Sequence, residues 1–320
     1  MSKSLDFTAV PADLKRHVVK NPEILKQVFK DDRSFFSYVQ FIPDVVDRVV
    51  LNKIKLSKIA QPGGKNTFDP KADAVKPEPR YGYVEKCKVD LAFDEEDMDA
   101  LWKSYLGELE NRNPEKINDL PYQKVFIELI LAQLKEDDQL EALYRGVRNS
   151  AGSEPADMYH GFLKIIADDI AANIIKGTQI VDQAALVITP ANALDAIEAV
   201  KSLVPDRFRM RDMVCIISPT LMDYYNQDYR STHGALPYNT GFSKQAIDGT
   251  NIKFEVEEGL QGSQRIIITP RYNFKYMAAG NGDMSRLTFQ EFNRELKMLG
   301  DWRAGVNYAF PEYIWQNNRA

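Results

Sequence analysis

The sequence is poor in the residues from which most catalytic and metal sites are built. Its 320 residues include two cysteines, Cys87 and Cys215, and three histidines, His17, His160 and His233. The cysteines form no CxxC pair and lie in apolar or strand-like runs, and no histidine has a second histidine or a cysteine at metal-ligand spacing. We therefore expect buried free thiols and structural histidines, and we predict no catalytic set, no metal site and no cofactor.

Long apolar runs and an excess of positive charge are missing as well. No apolar run approaches the roughly 18 residues that a membrane span needs, and Met1–Asp13 is too polar for a signal peptide. The formal net charge is −5 at pH 7, whereas a dedicated nucleic-acid binder has a basic field. The sequence therefore predicts a chain that is made in the cytoplasm, has no membrane span and contacts DNA only weakly and without specificity.

What is present is typical of a folded chain that mixes helices and strands. Hydrophobic residues make up 44% of the sequence and charged residues 27%, which excludes a disordered protein. Helical spacing of apolar residues marks the segments 94–109, 122–144 and 156–175. Further on, Met213–Ser218 is apolar throughout, as in a strand that is covered on both faces. Thr288 and Glu291 form a capping-box pattern, which predicts a helix over 288–299.

Two strand-like segments, Val45–Ile59 and Tyr81–Phe93, flank a long stretch rich in proline and glycine. This stretch, QPGGKNTFDPKADAVKPEPR, contains four prolines and the pair Gly63–Gly64. Such a composition cannot pack a core, so it predicts the mobile tip of a long hairpin. Loops of this length are uncommon in compact domains, and we therefore expect the tip to contact a partner outside its own subunit.

Charge is distributed unevenly along the chain. Residues 1–60 contain 11 Lys or Arg against 7 Asp or Glu, whereas residues 94–141 contain 14 acidic and 5 basic residues. The acidic stretch is either a solvated helix face or a docking surface for the basic stretch of a neighbouring copy. Its densest part, DEEDMD at Asp94–Asp99, lacks the glycine and the spacing of a calcium loop. We therefore expect Asp94 to cap a helix.

An aromatic and polar segment, YYNQDYRSTHGALPYNTGF, spans Tyr224–Phe242. We interpret it as a loop region. Tyrosines mixed with Asn, Gln and Arg suit a subunit interface, where amphipathic rings add contact area at little cost in entropy. They are equally compatible with packing in the core, and both interpretations stay open.

The order of these parts resembles that of the major capsid proteins of tailed bacteriophages, which have the Hong Kong 97 capsid fold. The closing segment LGDWRAGVNYAFPEYIW, Leu299–Trp315, is similar to the final strand of that family, with its arginine, glycine and aromatic residues. Asp195–Thr220 resembles the axial helix of the family and the buried strand, ending in Ser-Pro, that follows it. The resemblance implies an α+β fold with an N-arm (1–44), an extended hairpin loop (45–93), a peripheral domain with a long spine helix (94–183 and 284–320) and an α/β axial domain (184–283).

The resemblance implies a structural protein and no enzyme: a major capsid subunit that self-assembles into pentamers and hexamers of an icosahedral head around double-stranded DNA. Its location would be the virion. Its partners would be other copies of itself, DNA contacted non-specifically, and portal, scaffolding and decoration proteins. Two alternatives stay open, an encapsulin-type nanocompartment shell and a soluble α/β enzyme with a pocket at 223–242. The residues that we expect at inter-subunit contacts are Gly63, Gly64, Lys65, Lys71, Tyr224, Tyr225, Tyr229, Tyr238 and Arg303.

Overall fold

The computed structural model describes most of the chain beyond residue 33. The described residues are 34–52, 55–56, 75–76, 79–94, 122–233, 245–280, 286–292 and 295–319, with the single positions 14, 16, 60, 96, 97, 100 and 103.

The described residues form two five-stranded sheets, two two-stranded ribbons and several helices. The strands are β1 (Gln40–Ile42), β2 (Arg48–Asn52), β3 (Lys55–Leu56), β4 (Val75–Lys76), β5 (Arg80–Tyr83), β6 (Glu85–Phe93), β7 (Ile180–Val181), β8 (Met213–Ile217), β9 (Ile252–Val256), β10 (Ile267–Pro270), β11 (Phe274–Ala278), β12 (Arg286–Phe292), β13 (Glu295–Tyr308) and β14 (Trp315–Asn317). The α-helices are α1 (Tyr122–Asp137), α2 (Phe162–Ala171), α3 (Ala193–Leu203), α4 (Asp206–Arg209) and α5 (Pro219–His233). A π-helical turn, Asp138–Ala142, continues α1.

The first sheet is organised around the long strand β13. Along one edge β13 pairs antiparallel with β6. Along the other edge it pairs first with β12 and then with β11, and β1 adds parallel to β11. Alternate residues of β13, such as Leu296 and Met298, are buried, as expected when one face of a sheet covers a core. Phe126 of α1 and Phe162 of α2 belong to the same core.

The second sheet has the order β7-β14-β10-β8-β9 and separates two cores. Every residue of β8 is buried. Cys215 and Ile217 face a core formed with α3 and α5, whereas Val214 and Ile216 face the core of the first sheet. The prediction that this strand is covered on both faces is therefore confirmed.

The helical middle of the chain agrees with the sequence in part. Helix α1 and its π-helical turn confirm the prediction of a helix over 122–144, although the regular structure ends at Ala142. The predicted helix over 156–175 is shorter and spans Phe162–Ala171. Within the predicted helix 94–109, the described positions 96, 97, 100 and 103 are helical.

Two secondary-structure predictions are wrong. Residues 288–292 and 295–299 form strands, because β12 pairs with β13 from Arg286↔Asp301 to Phe292↔Glu295. Residues 224–233 belong to helix α5 and not to a loop, while 234–242 lie outside the described residues. At the start of α5 the N–H of Leu221 donates to Ser218 Oγ at 3.3 Å. Pro219 stands in the first turn, where no N–H is needed.

Strand pairs cross the predicted limits of the domains, and these limits stay a prediction. Strand β5 pairs with β2 inside the predicted hairpin loop, whereas β6, which the prediction places in the same loop, belongs to the first sheet. In the segment 284–320, β12 and β13 belong to the first sheet, whereas β14 pairs with β10 and β7 of the second sheet. The end of the predicted N-arm, residues 34–42, lies in the first core, with Phe35 buried and β1 paired to β11.

Candidate functional site

The ribbon formed by β2 and β5 is the base of the predicted hairpin and has two chemically different faces. Its inner face packs on Met277 of the first sheet through Val49, Leu51 and Val84. Its outer face carries Arg48, Val50, Tyr81 and Tyr83, and we call these four residues the outer hairpin face. Tyr83 is 55% exposed and Tyr81 38% exposed. Exposed aromatic residues grouped on one ribbon are unusual for a monomer and indicate a contact surface.

Every second residue of β13 from Arg303 to Asn307 contacts this ribbon or the residues just before it. Arg303 donates from Nη1 to the carbonyl of Val46, two residues before β2. A Cβ at Gly305 would overlap the carbonyl oxygen of Tyr83, so only glycine allows this close approach of two backbones. Asn307 donates from Nδ2 to the carbonyl of Tyr81 at 2.9 Å. The RAGVN part of the closing segment therefore binds the base of the hairpin to the first sheet.

Arg80 adds a partly buried ionic anchor at the end of the ribbon. Its Nη2 lies 2.7 Å from Oδ2 of Asp169 in α2 and donates to Oδ1 of Asn307 at 2.8 Å. Its guanidinium carbon lies 4.1 Å from the centre of the Tyr308 ring, and Tyr308 donates its hydroxyl proton to Asp169. Because both charges are largely removed from water, the loss of either one would leave the other poorly compensated.

The structure places the predicted contact residues in three different situations. Gly63, Gly64, Lys65, Lys71 and Tyr238 lie outside the described residues. Tyr225 is completely buried in the single chain, with its ring centre 4.9 Å from that of Phe254. Tyr224 and Tyr229 are partly buried on α5, and Arg303 binds the hairpin. A contact role for each of these residues stays a prediction.

The outer hairpin face is absent from the residues that sequence reasoning selected. The sequence did contain a signal for this face, because Val50, Tyr81 and Tyr83 are β-branched or aromatic residues that alternate along two paired strands and so share one face. The opposite face is apolar as well, at Val49 and Leu51. A ribbon that is apolar on both faces is typical of a strand pair that is covered on both sides.

The described histidines make local contacts, and the cysteines are buried. His160 Nδ1 accepts from the N–H of Arg148 at 3.2 Å, and His233 stacks on Tyr229 of its own helix. His17 lies outside the described residues. Both cysteines are free and buried, as predicted. Burial raises the pKa of Cys87 to about 12 and also raises that of Cys215, so both thiols stay protonated at neutral pH.

The acidic run after β6 begins as a helix cap. The N–H of Asp97 donates to Oδ1 of Asp94 at 2.8 Å, which confirms the predicted cap. Among the described residues, no group of three His, Cys, Asp or Glu side chains is arranged to bind a metal ion. In the same part of the chain, no helix has both the length and the apolar composition to cross a membrane.

Two carboxyl groups are buried around the π-helical turn after α1. Asp138 accepts hydrogen bonds from the hydroxyls of Tyr159 at 2.5 Å and Tyr276 at 3.1 Å. Glu257, which follows β9, is 1% exposed, and its Oε2 has no hydrogen-bond partner among the described residues. Burial raises the pKa of Glu257 to about 7, against a smaller opposing effect of the hydrogen bond from Tyr38. Glu257 can therefore change its charge near neutral pH.

Two clefts are formed by described residues. The smaller one, about 220 Å³, lies beside Ser218, Tyr224 and Ser263, and it shares only Tyr224 with the pocket at 223–242 of the enzyme alternative. Ser218 Oγ donates to the carbonyl of Ser263 at 2.9 Å, and the residues around this cleft include no histidine or carboxylate that could activate a hydroxyl. The larger cleft, about 400 Å³, lies between α4 and the turn before β11.

Three solved structures resemble this chain over most of its length. A chain of the satellite phage P4 procapsid, in a structure that includes the size determination (Sid) protein, superposes with a TM-score of 0.64 at 13% identity and covers 98% of this chain and 97% of that one. A chain of Mycobacterium phage Ogopogo gives a TM-score of 0.51 at 13% identity over 90% and 91%. The capsid of a native GTA particle gives 0.50 at 9% identity over 89% of both chains. Comparison with family models and with curated proteins gives no match.

These likenesses establish the fold. The chain has the α+β Hong Kong 97-type capsid fold, as the order of its parts predicted. At identities of 9% to 13% the likeness concerns the fold alone, because one fold can serve different functions.

Proposed function

We propose that the chain is a major capsid subunit, which self-assembles into pentamers and hexamers of a tailed phage head around double-stranded DNA. The observation that carries the proposal is the superposition on a chain of the P4 procapsid over 98% of the length. A likeness that covers both sheets and the hairpin base is what a shared assembly role would require.

The outer hairpin face supplies a physical reason for assembly. Arg80, Arg303 and Asn307 fix the base of the hairpin to the first sheet, and the pairing of β3 with β4 extends it. Its apolar outer face is open to water in the single chain. Burying such a surface against a second copy is favourable by about 25 cal/mol per Å². In a closed shell each copy contacts several neighbours, so the free energies of modest contacts add up.

The proposal includes the absence of an enzymatic role. Among the described residues, His160 and His233 make only local contacts and the two cysteine thiols stay protonated. The hydroxyl of Ser218 is engaged by a backbone carbonyl. None of these five described residues is therefore a nucleophile with a base beside it, which hydrolytic chemistry needs.

The partners follow from the same role. Other copies of the chain would supply most contacts, and portal, scaffolding and decoration proteins would supply the rest. The net charge of −5 favours DNA that is enclosed and contacted without sequence specificity. The finished protein would be located in the virion after synthesis in the host cytoplasm.

A shortened hairpin tests the proposal. Leu56 and Val75 are paired across β3 and β4, so an Asn-Gly turn can replace residues 57–74 without breaking the pairing. We expect the unaltered chain to form closed shells in negative-stain electron microscopy. The shortened chain should unfold with the same midpoint but form no closed shells. Normal shells from the shortened chain would contradict the proposed role of the hairpin, and an unaltered chain that stays a monomer or small oligomer at every salt and protein concentration would contradict the shell itself.

The contents of the particles separate the phage head from the nanocompartment. The proposal expects particles from infected or induced cells to contain nucleic acid, measured by their absorbance at 260 nm against 280 nm. Particles that instead retain a stoichiometric protein cargo would keep the shell role and replace the DNA part of the proposal.

A further inference from the structure

We infer that the larger cleft, beside α4, binds the acidic segment 94–99 of a second copy of this chain. The inference rests on the proposed function, because it names which surfaces of two copies meet. It commits to one occupant, and the reasons are the charges of the cleft, the shape of its mouth and the distance between the two surfaces within one chain.

The cleft carries two arginines without a carboxylate partner. Arg207 and Arg211 lie over the buried ring of Phe208, with their guanidinium carbons 4.7 Å and 5.1 Å from its centre. Neither guanidinium has a hydrogen bond or ion pair among the described residues. A guanidinium that stacks on a ring keeps its N–H groups directed outwards, ready for a carboxylate.

The other charges at the cleft are already balanced. Arg271 donates to Asp212 at 3.2 Å, to Glu255 at 2.9 Å and to the carbonyl of Ser37 at 2.6 Å. Arg209, on the far side of α4, pairs with Asp206 at 2.9 Å. The unbalanced charge at the cleft is therefore the pair Arg207 and Arg211.

The mouth of the cleft carries exposed rings. Tyr272 is 48% exposed and Phe310 is 37% exposed, and both line the cleft. Tyr272 has a φ of 62°, a left-handed conformation that is rare for a residue with a large side chain. Backbone strain of this kind persists where the surrounding structure imposes it, and it is concentrated at functional sites. Here it fixes an exposed tyrosine ring at the edge of a basic cleft.

The segment 94–99 supplies the complementary charge. Five of its six residues are carboxylates, and the described side chains of Glu96 and Asp97 are exposed. The hydrogen bond from the N–H of Asp97 to Asp94 holds the start of the segment in a helical turn. Oppositely charged surfaces of this kind fix the register of two partners and exclude other arrangements.

The two surfaces cannot meet within one chain. Phe93, next to the acidic segment, pairs with Leu296 at the start of β13, whereas Tyr308 at its end pairs with Phe274 beside the cleft. Twelve residues of strand separate these points, which at about 3.3 Å per residue is roughly 40 Å. The acidic segment can therefore reach a cleft only on another copy. Because the two surfaces differ, the contact is head-to-tail, and repetition of such a contact builds a ring where the rotation between copies closes.

A charge-swap experiment tests the inference. One variant reverses the cleft, with Arg207→Glu and Arg211→Glu. A second reverses the segment, with Glu95→Lys, Glu96→Lys, Asp97→Lys and Asp99→Lys, which changes its charge from −5 to +3. A third variant combines all six changes. We expect each reversal to raise the protein concentration needed for assembly by about tenfold or more, because attraction becomes repulsion at every contact. The combined variant should return to within about threefold of the unaltered chain. Arg145→Glu with Lys176→Glu, two exposed positions on other surfaces, gives the same charge change as the cleft reversal and should have little effect.

The outcomes separate this inference from the proposed function. Normal shells from either reversal would overturn the inference and leave the shell role intact. The same holds if the combined variant needs as high a protein concentration for assembly as the reversal that assembles less readily. Normal shells that lack nucleic acid in the cleft reversal would assign the arginines to nucleic acid and overturn it as well. If the unaltered chain forms no shells, the self-association of the same variants is measured by sedimentation velocity at rising protein concentration. Association that is lost on reversal and restored by the swap would then support the inference alone, and no association at any concentration would overturn both.

Discussion

At the scale of single residues, Glu257 makes the stability of the fold depend on pH. Burial raises its pKa from an ordinary value near 4.5 to about 7. The neutral form is therefore favoured in the folded chain, and its contribution to stability is complete below pH 4.5 and is lost as the pH rises through 7. The loss amounts to about 3 kcal/mol, since one pKa unit corresponds to about 1.4 kcal/mol.

Glu257→Gln should remove this dependence. Glutamine keeps an oxygen that can accept from Tyr38 but has no charge to bury. We expect the free energy of unfolding of the unaltered chain, measured in urea, to fall between pH 5 and pH 8 relative to that of the variant. The exposed Glu136 on α1 provides the control, because Glu136→Gln should keep the slope of the unaltered chain. Equal slopes for all three proteins would show that the carboxyl of Glu257 is not the source.

Single residues differ in how far the sequence reveals them. The cap at Asp94 could be predicted because its partner, the N–H of Asp97, is three residues away. The burial of Glu257 could not, because Tyr38 and Tyr144, which surround it, come from distant parts of the chain. Sequence patterns carry local chemistry, whereas the environment of a buried charge is set by tertiary packing.

At the scale of elements, the same distinction explains which predictions failed. The strand Met213–Ile217 is apolar without interruption, and a run of five such residues, rich in β-branched side chains and bounded by Ser-Pro, favours a buried strand. Residues 288–299 are ambiguous, because Phe289 and Leu296 fit a helical spacing as well as a strand. Pairing with β6 and β12 on both edges of β13 decides in favour of strand. Strand β12 itself carries the capping-box residues, whereas β6 comes from a distant part of the chain. The better signal was the alternation of Leu296, Met298 and Gly300.

The hairpin base is an element whose local stability depends on Arg80. Arg80→Met keeps the aliphatic bulk but leaves Asp169 without its cationic partner. We expect a local loss of about 2 kcal/mol, which is below the 3 to 5 kcal/mol of a fully buried pair because both groups retain some contact with water. In native-state hydrogen exchange, the amides of β2 and β5 should then exchange roughly 30-fold faster than in the unaltered chain, and those of β8 should change less.

Arg48→Met provides the matched control for this prediction. Arg48 lies on the outer hairpin face of the same ribbon, over the ring of Tyr81 at 5.5 Å, and has no buried carboxylate beside it. Its loss should change exchange by less than about threefold, as for other exposed cations. Equal effects of the two substitutions would mean that the ionic anchor contributes nothing beyond the packing of a long side chain.

At the scale of the whole molecule, the outer hairpin face should matter for assembly and hardly at all for folding. Tyr81→Ser with Tyr83→Ser removes two side chains that are 38% and 55% exposed in the single chain. The free energy of unfolding of the monomer should therefore change by less than about 1 kcal/mol. In an assembled shell the same rings would be buried against a neighbour, where tyrosine side chains commonly contribute 2 kcal/mol or more.

The expected result is therefore a folded chain that does not form closed shells, seen as an unchanged circular dichroism spectrum together with empty fields in negative-stain micrographs. Ile174→Ser with Val187→Ser provides the control, because these two residues are 47% and 57% exposed and lie away from the hairpin. This control should assemble like the unaltered chain. Closed shells from the tyrosine variant at the ordinary protein concentration would mean that the hairpin meets its neighbour through its tip alone. A variant that fails to fold would instead mean that the two rings stabilise the single chain, contrary to their exposure.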